Sequence, residues 1–278
     1  MIYRYVNMLI KKTNQIKNVI INYFRNTCFY AILLIKPLKE RGWLTSKYTN
    51  SHFHKGENYE IKFEIFPGRK IIWDIEKKIL DKFLLNSINL EYLDFAGGTG
   101  RILNYLQKKC KKKYLIDSSR KMVEHAKSKI KDVNYIDKDF NEITNFDQKF
   151  DLITAFRFFP NAEPLLREKA MKFISEHLKK DGYLILNNHK NFWSVPFFFK
   201  RLTFRSDGFG FTHKDIQSLL RRNNLKIVDF YSCGLFIQVE KGKFIPWSLV
   251  KKLENFFHKF LHKSRLGYNV LYLIKKND

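Results

Sequence analysis

The sequence has few cysteines and no long hydrophobic run. Its three cysteines, Cys28, Cys110 and Cys233, are scattered, which excludes a disulfide framework or a paired zinc motif and favours a reducing cytosol. The most apolar segment, residues 27–35, is too short to span a bilayer. No small-x-small cleavage site follows it, so we expect neither a membrane span nor a cleaved signal peptide.

Acidic residues are also scarce, with 27 Asp and Glu against 52 Lys and Arg, a formal net charge of +25. Most of this excess lies in the flanks. Residues 1–48 hold 9 basic and 1 acidic residue, and residues 189–278 hold 17 and 6, whereas residues 49–188 hold 26 and 20. Basic flanks suit either nucleic acid phosphates or an anionic membrane surface.

The clearest local pattern is a glycine-rich turn between a short apolar strand, residues 92–95, and a helix. Gly97, Gly98 and Gly100 form this turn. Glycine allows backbone conformations that other residues avoid and lets a ligand approach without meeting a Cβ atom. The N–H groups at the start of the following helix point back toward the turn, where polar ligand groups find donors.

Acidic residues follow the next two apolar runs. Asp117 ends the run 113–117 and lies 17 residues after Gly100, close to the roughly 20-residue offset at which a doubly wound fold places an acid on a ribose. Asp139 follows the run 133–136 and is itself followed by Phe140. An acid with an adjacent aromatic ring suits the amino group and the face of an adenine.

This ordered set resembles the class I S-adenosylmethionine-dependent methyltransferases of the group with methyltransferase domains 11 and 25, over about residues 88–190. Their first motif is hydrophobic-Asp-hydrophobic-Gly-x-Gly-x-Gly, here Leu93–Gly100, with Ala96 in place of the first glycine. The resemblance implies S-adenosyl-L-methionine as cofactor. It implies cofactor contacts from Asp94, Ala96, Gly97, Gly98, Gly100, Asp117, Ser118, Asp139, Phe140 and Phe156.

Each of these residues also has a purely structural interpretation. The glycines could form only a tight turn, Asp94 could cap a backbone group, Asp117 could cap its helix, and Asp139 could be a solvated loop acid. A nicotinamide dinucleotide site fits less well, since its usual Gly-x-Gly-x-x-Gly spacing would need a glycine where Leu103 stands.

The remaining pattern predicts an α/β fold with a Rossmann-like, seven-stranded, mostly parallel sheet and helices on both faces. Expected strands are 92–95, 113–117, 133–136, 150–155, 183–187, 226–231 and 269–274, with a turn at Asp181-Gly182. Expected helices include 100–110, 118–130, 163–179 and 212–223, the last capped by Thr212.

We divide the chain into a basic amphipathic, helical N-terminal extension at 1–48, a lead-in helix and lid segment at 49–87, and the S-adenosylmethionine-binding methyltransferase domain at 88–278. The lead-in helix carries Ile72, Ile75, Ile79 and Phe83 at helical spacing. A helical insertion, about 232–267, precedes the last strand.

In related methyltransferases the segment before the first strand often covers the cofactor. Tyr59, Phe66 and Arg69 are its candidates here. His52 and His54 have no third ligand in view, so no metal site is expected. The helix around 249–261 is basic and amphipathic, and could pack on the sheet, line an acceptor site or touch a membrane.

The catalytic candidates are Arg157, after the fourth strand, and His189, after the fifth. Arg157 would bind an anionic acceptor or support the lid. His189 would act as a general base, although a structural histidine fits equally. Methyl transfer from a sulfonium is an in-line displacement that needs a base only for a hydroxyl or protonated amine.

The sequence argues against several classes of methyl acceptor. The run 155–160 lacks the Asn/Asp-Pro-Pro-aromatic pattern of exocyclic-amine enzymes, and no cysteine lies in a loop suited to cytosine C5 methylation. We therefore expect a small-molecule, sugar or lipid-linked acceptor, in the cytoplasm and at the inner membrane face. An RNA methyltransferase, or a non-catalytic interaction protein with the same fold, is the alternative.

Overall fold

The computed structural model describes residues 56–195, 197, 211–236 and 246–277. The expected N-terminal extension at 1–48 therefore lies outside the described residues. None of the helices in these ranges is both long and apolar enough to cross a membrane. The division into three segments stays a prediction.

Seven strands form one sheet in the order β3-β2-β1-β4-β5-β7-β6. The strands are β1 Leu90–Phe95, β2 Cys110–Ile116, β3 Asn134–Ile136, β4 Phe150–Ala155, β5 Leu178–Asn188, β6 Leu225–Cys233 and β7 Asn269–Lys276. Strands β1 to β5 pair in parallel, and β7 runs antiparallel to both β5 and β6. The predicted seven-stranded, mostly parallel α/β fold is confirmed.

Seven α-helices pack around this sheet in the described ranges. They are α1 Gly56–Ile65, α2 Pro67–Phe83, α3 Arg101–Leu106, α4 Arg120–Lys129, α5 Pro164–His177, α6 His213–Arg222 and α7 Trp247–Leu261. Helix α7 is the expected insertion before the last strand. Helix α6 begins at a capping box in which the Thr212 hydroxyl accepts from the Asp215 N–H, and Asp215 accepts from the Thr212 N–H.

The hydrophobic core has two parts, because successive side chains of a strand point to opposite faces of the sheet. In β1, Tyr92 belongs to the cluster built with α2, α3 and α4, whereas Leu93 and Phe95 belong to the cluster built with α5 and α6. All three side chains are at most 1% exposed. Helices thus cover both faces of β1.

Two local predictions were wrong. The expected helix 100–110 ends at Leu106, and a 3-10 turn leads directly into β2 at Cys110. The expected turn at Asp181-Gly182 lies inside β5, which begins at Leu178 and shifts register against β4 between Phe150 and Leu152. A Cβ atom at Gly182 would come within 2.8 Å of the Phe150 carbonyl oxygen, so this glycine allows the close strand approach.

Candidate functional site

The glycine-rich turn after β1 is tight and left-handed. Ala96, Gly98 and Gly100 have φ angles of +52°, +56° and +72°, a region that residues with a Cβ atom rarely adopt. Gly97 has ordinary φ but no room, because a Cβ atom there would lie 2.9 Å from Asp94 Cγ. The turn therefore exposes backbone rather than side chains at the carboxyl edge of the sheet.

Asp94 lies beneath this turn and is 1% exposed. Its carboxylate accepts hydrogen bonds from the Thr154 hydroxyl at 2.8 Å and from the Leu103 backbone N–H at 3.2 Å. Burial raises the pKa of Asp94 to about 7, against the lowering effect of these two donors. Asp94 thus caps helix α3 from below, and its contact with the cofactor stays a prediction.

Asp117 joins the end of β2 to the glycine turn. Its two carboxylate oxygens accept the backbone N–H groups of Gly98 and Ser119, each at 2.8 Å. Burial raises the pKa of Asp117, and the two backbone hydrogen bonds oppose that rise. A carboxylate has about four acceptor positions, so this one keeps capacity for the two hydroxyls of a ribose.

A cavity of about 160 Å³ opens beside Asp117. Five of its lining residues were predicted to contact the cofactor: Ala96, Asp117, Ser118, Asp139 and Phe140. The other five were not predicted: Phe95, Ile116, Lys138, Phe158 and Leu166. The lining combines the carboxyl groups of Asp117 and Asp139 with the rings of Phe95, Phe140 and Phe158, a mixture typical of small-ligand sites. The mixture of acids and flat apolar walls suits the chemistry of a nucleoside.

Two of the lining rings contact each other, since the Phe140 ring packs 5.2 Å from that of Phe95. Asp139 Oδ1 accepts from the backbone N–H of Asn141 at 2.9 Å and from its side-chain amide at 2.7 Å. Asp139 therefore caps the short turn that presents Phe140. Phe156 is 8% exposed and belongs to the core cluster of α2 and β1 instead of the cavity lining, so its cofactor contact stays a prediction.

Arg157 and His189 meet at the same edge of the sheet. The side-chain amide of Asn161 donates to the Arg157 carbonyl oxygen at 2.6 Å and lies 3.4 Å from His189 Nε2. His189 is 9% exposed. The structure thus brings the two predicted catalytic residues to one place, and their roles stay predictions.

Helix α1 lies over this edge. Its Glu60 contacts His125 Nε2 at 3.0 Å and Lys129, both on α4. Its Phe63 is 3% exposed, with Tyr59 at 5.7 Å and the Arg69 guanidinium 5.5 Å from the ring centre. Of the predicted lid candidates, Tyr59 and Arg69 contact Phe63 directly, while Phe66 contacts Arg69 at 5.8 Å.

A buried polar network at this edge was not predicted. Glu76 is 0% exposed, accepts from the Asn269 side chain at 2.6 Å and pairs with Arg101 at 3.3 Å. Asn187 donates to Asn269 at 3.1 Å and accepts the Arg157 N–H at 2.6 Å. Glu76 gave one sequence signal, because it stands among the regularly spaced isoleucines of α2.

Within the described residues no group of three His, Cys, Asp or Glu side chains is placed to hold a metal ion. His52 and His54 lie outside those residues.

A family profile described as a methyltransferase domain matches residues 93–182, which run from β1 into β5. The chain is also 31% identical over 153 residues to a demethylmenaquinone methyltransferase from Thermotoga maritima. That match covers 52% of this chain and 63% of the relative. The chain thus spans less than two thirds of the length of this curated relative.

Solved methyltransferases have the same fold. An S-adenosylmethionine-dependent methyltransferase from Clostridium acetobutylicum matches with a TM-score of 0.53 at 19% identity, covering 80% of this chain and 98% of that one. The N-methyltransferase NodS from Bradyrhizobium japonicum, in complex with S-adenosyl-L-homocysteine, matches with a TM-score of 0.55 at 13% identity, covering 82% and 95%. At such identities the likeness is one of fold.

Proposed function

We propose that the chain is an S-adenosylmethionine-dependent methyltransferase, because a methyltransferase-domain profile matches residues 93–182 and the fold is that of class I S-adenosylmethionine-dependent methyltransferases. Its proposed reaction is methyl transfer to a small-molecule, sugar or lipid-linked acceptor. The observation that carries the proposal is the position of Asp117, which accepts the Gly98 N–H of the glycine turn and borders a cavity lined by acidic and aromatic side chains.

The residues at this edge fit such a donor. The free acceptor positions of Asp117 suit both ribose hydroxyls, and the Phe140 and Phe158 side of the cavity suits an adenine ring. Gly98 has a φ angle of +56°, and a Cβ atom there would lie 3.2 Å from Met122 Sδ, so a larger residue would strain the turn. The backbone there can approach a ligand closely.

S-adenosyl-L-methionine supplies an activated methyl group, which passes to the acceptor as S-adenosyl-L-homocysteine leaves with the sulfur electron pair. The protein's work is therefore to hold the acceptor in line and to exclude water. We propose that helix α1 excludes water through Phe63. His189 is the proposed proton acceptor where the acceptor is a hydroxyl or protonated amine.

We also propose that the chain works in the cytoplasm, at the inner face of a membrane. Scattered cysteines suit a reducing compartment. Helix α7 supports the membrane contact, because its exposed face carries Phe256, Phe260 and several lysines. Helices of this kind lie in the interface plane of anionic bilayers.

The proposed donor site is tested by calorimetric titration with S-adenosyl-L-homocysteine. We expect micromolar binding to the wild-type protein and at least tenfold weaker binding to Asp117→Ala, a loss of about 1.4 kcal/mol. The reason is that alanine removes the ribose acceptor and releases the Gly98 N–H. Asp137→Ala is the matched control, since Asp137 is an exposed acid near the same edge, and its affinity should stay within twofold.

An absence of binding to the folded wild-type protein would overturn the enzyme proposal and favour a non-catalytic interaction protein. Strongly salt-dependent affinity for RNA, together with normal donor binding, would favour RNA methylation over the proposed acceptors.

A further inference from the structure

Three guanidinium groups contact the buried Phe63 ring beside the proposed donor site, and two of them lie within 5 Å of the ring centre. The guanidinium carbon of Arg101 lies 4.2 Å from the centre of the Phe63 ring, and that of Arg157 lies 4.7 Å from it. Arg101 also lies 4.0 Å from the Trp73 ring. Arg101 follows the glycine turn directly, and Arg157 follows β4, so both belong to the carboxyl edge of the sheet.

The charges of this pair are not balanced. Arg101 forms an ion pair with the buried Glu76 at 3.3 Å. Arg157 forms no ion pair with any described residue, and its buried Nε atom has no hydrogen-bond partner there. Burial lowers the pKa of Arg101, and the nearby positive charge of Arg157 lowers it further. Arg157 is only partly buried, and no carboxylate among the described residues neutralises its charge.

The backbone of Arg157 is held in an unfavourable conformation. Its φ angle is +61°, its N–H donates to Asn187 Oδ1 at 2.6 Å, and its carbonyl oxygen accepts from Asn161 at 2.6 Å. Such strain persists only where the surroundings fix it, and it concentrates at ligand sites. The two asparagines thus fix the backbone position from which the Arg157 side chain extends to Phe63.

We propose that Arg157 binds an anionic group of the methyl acceptor, a carboxylate or a phosphate, so that the acceptor class is anionic. The inference rests on the proposed methyl transfer. A guanidinium binds either group through two parallel N–H donors. The Phe63 ring has no oxygen or nitrogen that could accept hydrogen bonds from those donors. Asn161 links the backbone carbonyl oxygen of Arg157 to His189, so both residues are held at the same edge of the sheet.

The test uses inorganic phosphate as the probe, with protein saturated by S-adenosyl-L-homocysteine. Potassium phosphate replaces potassium chloride at matched ionic strength, and thermal unfolding is recorded. We expect phosphate to raise the Tm of the wild-type protein by about 3 °C. We expect no rise for Arg157→Met, which keeps the length of the side chain and removes its charge, and a partial rise for Arg157→Lys.

Arg167→Met is the matched control. Arg167 is also an arginine whose buried Nε atom has no hydrogen-bond partner among the described residues, and its guanidinium lies 4.5 Å from the Phe211 ring instead of the Phe63 ring. The Arg167→Met protein has the same net charge as the Arg157→Met protein. Because it keeps Arg157, its Tm should rise with phosphate as much as that of the wild-type protein. An equal response in wild type and Arg157→Met would overturn the proposal.

The alternative anion for Arg157 is the carboxylate of the methyl donor itself. Calorimetry with S-adenosyl-L-homocysteine and with 5′-methylthioadenosine, which lacks the amino acid part, separates the two. Affinity for both within twofold of wild type in Arg157→Met supports an acceptor site. A tenfold loss for S-adenosyl-L-homocysteine alone would assign Arg157 to the donor and overturn the proposal. A phosphate response without any donor binding would leave the anion site standing and sink the methyltransferase proposal.

Discussion

Ala96 is the residue at which the sequence departs from the usual glycine motif, and the structure gives the physical consequence. Its φ angle of +52° lies in the left-handed region, where a non-glycine residue is strained by roughly 1–2 kcal/mol. The turn still forms, because Gly97 N–H donates to the Ile116 carbonyl oxygen at 3.1 Å and Gly100 N–H donates to that of Gly97 at 3.0 Å. The substitution therefore costs stability without closing the site.

We expect Ala96→Gly to stabilise the protein by about 0.5–1 kcal/mol, because relief of the strain exceeds the added entropy of the unfolded chain. Urea unfolding monitored by circular dichroism measures the change. Ala155→Gly is the matched control: Ala155 is a fully buried residue of β4, and its loss should destabilise by about 1 kcal/mol or more. Destabilisation by Ala96→Gly would contradict this reading of the turn.

Residues whose roles depend on local spacing could be predicted from the sequence, and residues that act across distant segments could not. Asp117 and the glycines are recognisable because a βα turn brings them together at a fixed offset. Phe63 reaches Arg157 only through the docking of α1, which no periodicity specifies. Glu76 and Asn269 are 193 positions apart, and their contact is a property of the assembled sheet edge.

At the scale of elements, one buried carboxylate fastens α7 to the sheet. Glu254 is 0% exposed and accepts three consecutive backbone N–H groups after β6, those of Gly234, Leu235 and Phe236. Hydrogen bonds to a charged acceptor contribute about 1.5–3 kcal/mol each. The inserted helix is thus held by a polar anchor as well as by Val250, its fully buried apolar residue.

We expect Glu254→Gln to destabilise the protein by about 2–3 kcal/mol. The glutamine NH₂ group is itself a donor, so it cannot accept a backbone N–H, and at least one of the three N–H groups is left unsatisfied. Urea unfolding measures this, and hydrogen exchange at residues 234–236 should accelerate. Glu168→Gln is the control, because Glu168 forms an exposed ion pair with Arg222 that is worth at most about 1 kcal/mol. Equal effects of the two variants would rule out the anchor.

Element boundaries were less predictable than element order. Alternating apolar runs predicted the seven strands, and Thr212 correctly marked the start of α6. The early end of α3 at Leu106 and the long β5 were missed, since the close approach of β5 to β4 at Gly182 depends on the partner strand. A glycine next to an aspartate is typical of a turn, and here tertiary pairing overrides that preference.

For the molecule as a whole, the distribution of charge is the main feature not explained by donor binding. On α7 the buried Glu254 is the only acid, while Lys251, Lys252 and Lys259 are exposed on the helix that also carries Phe256 and Phe260. Those two rings are 56% and 69% exposed. Lysines attract anionic lipid headgroups, and neighbouring aromatic side chains can enter the acyl boundary, so the two features together favour a bilayer over a purely ionic partner.

We expect the protein to sediment with vesicles that contain phosphatidylglycerol and to remain in solution with vesicles of phosphatidylcholine alone. Replacing both rings, Phe256→Ser with Phe260→Ser, should weaken vesicle binding at least tenfold, about 1.4 kcal/mol, because partial burial of two Phe rings is worth that much or more. Leu165→Ser is the control, since Leu165 is 68% exposed on α5, and its binding should equal that of wild type. If the double variant bound vesicles as well as the wild-type protein, vesicle binding would be assigned to basic residues outside α7. An absence of binding by the wild-type protein would show that the lysines of α7 are simply solvated, and it would contradict the proposed membrane contact and with it the support for a lipid-linked acceptor.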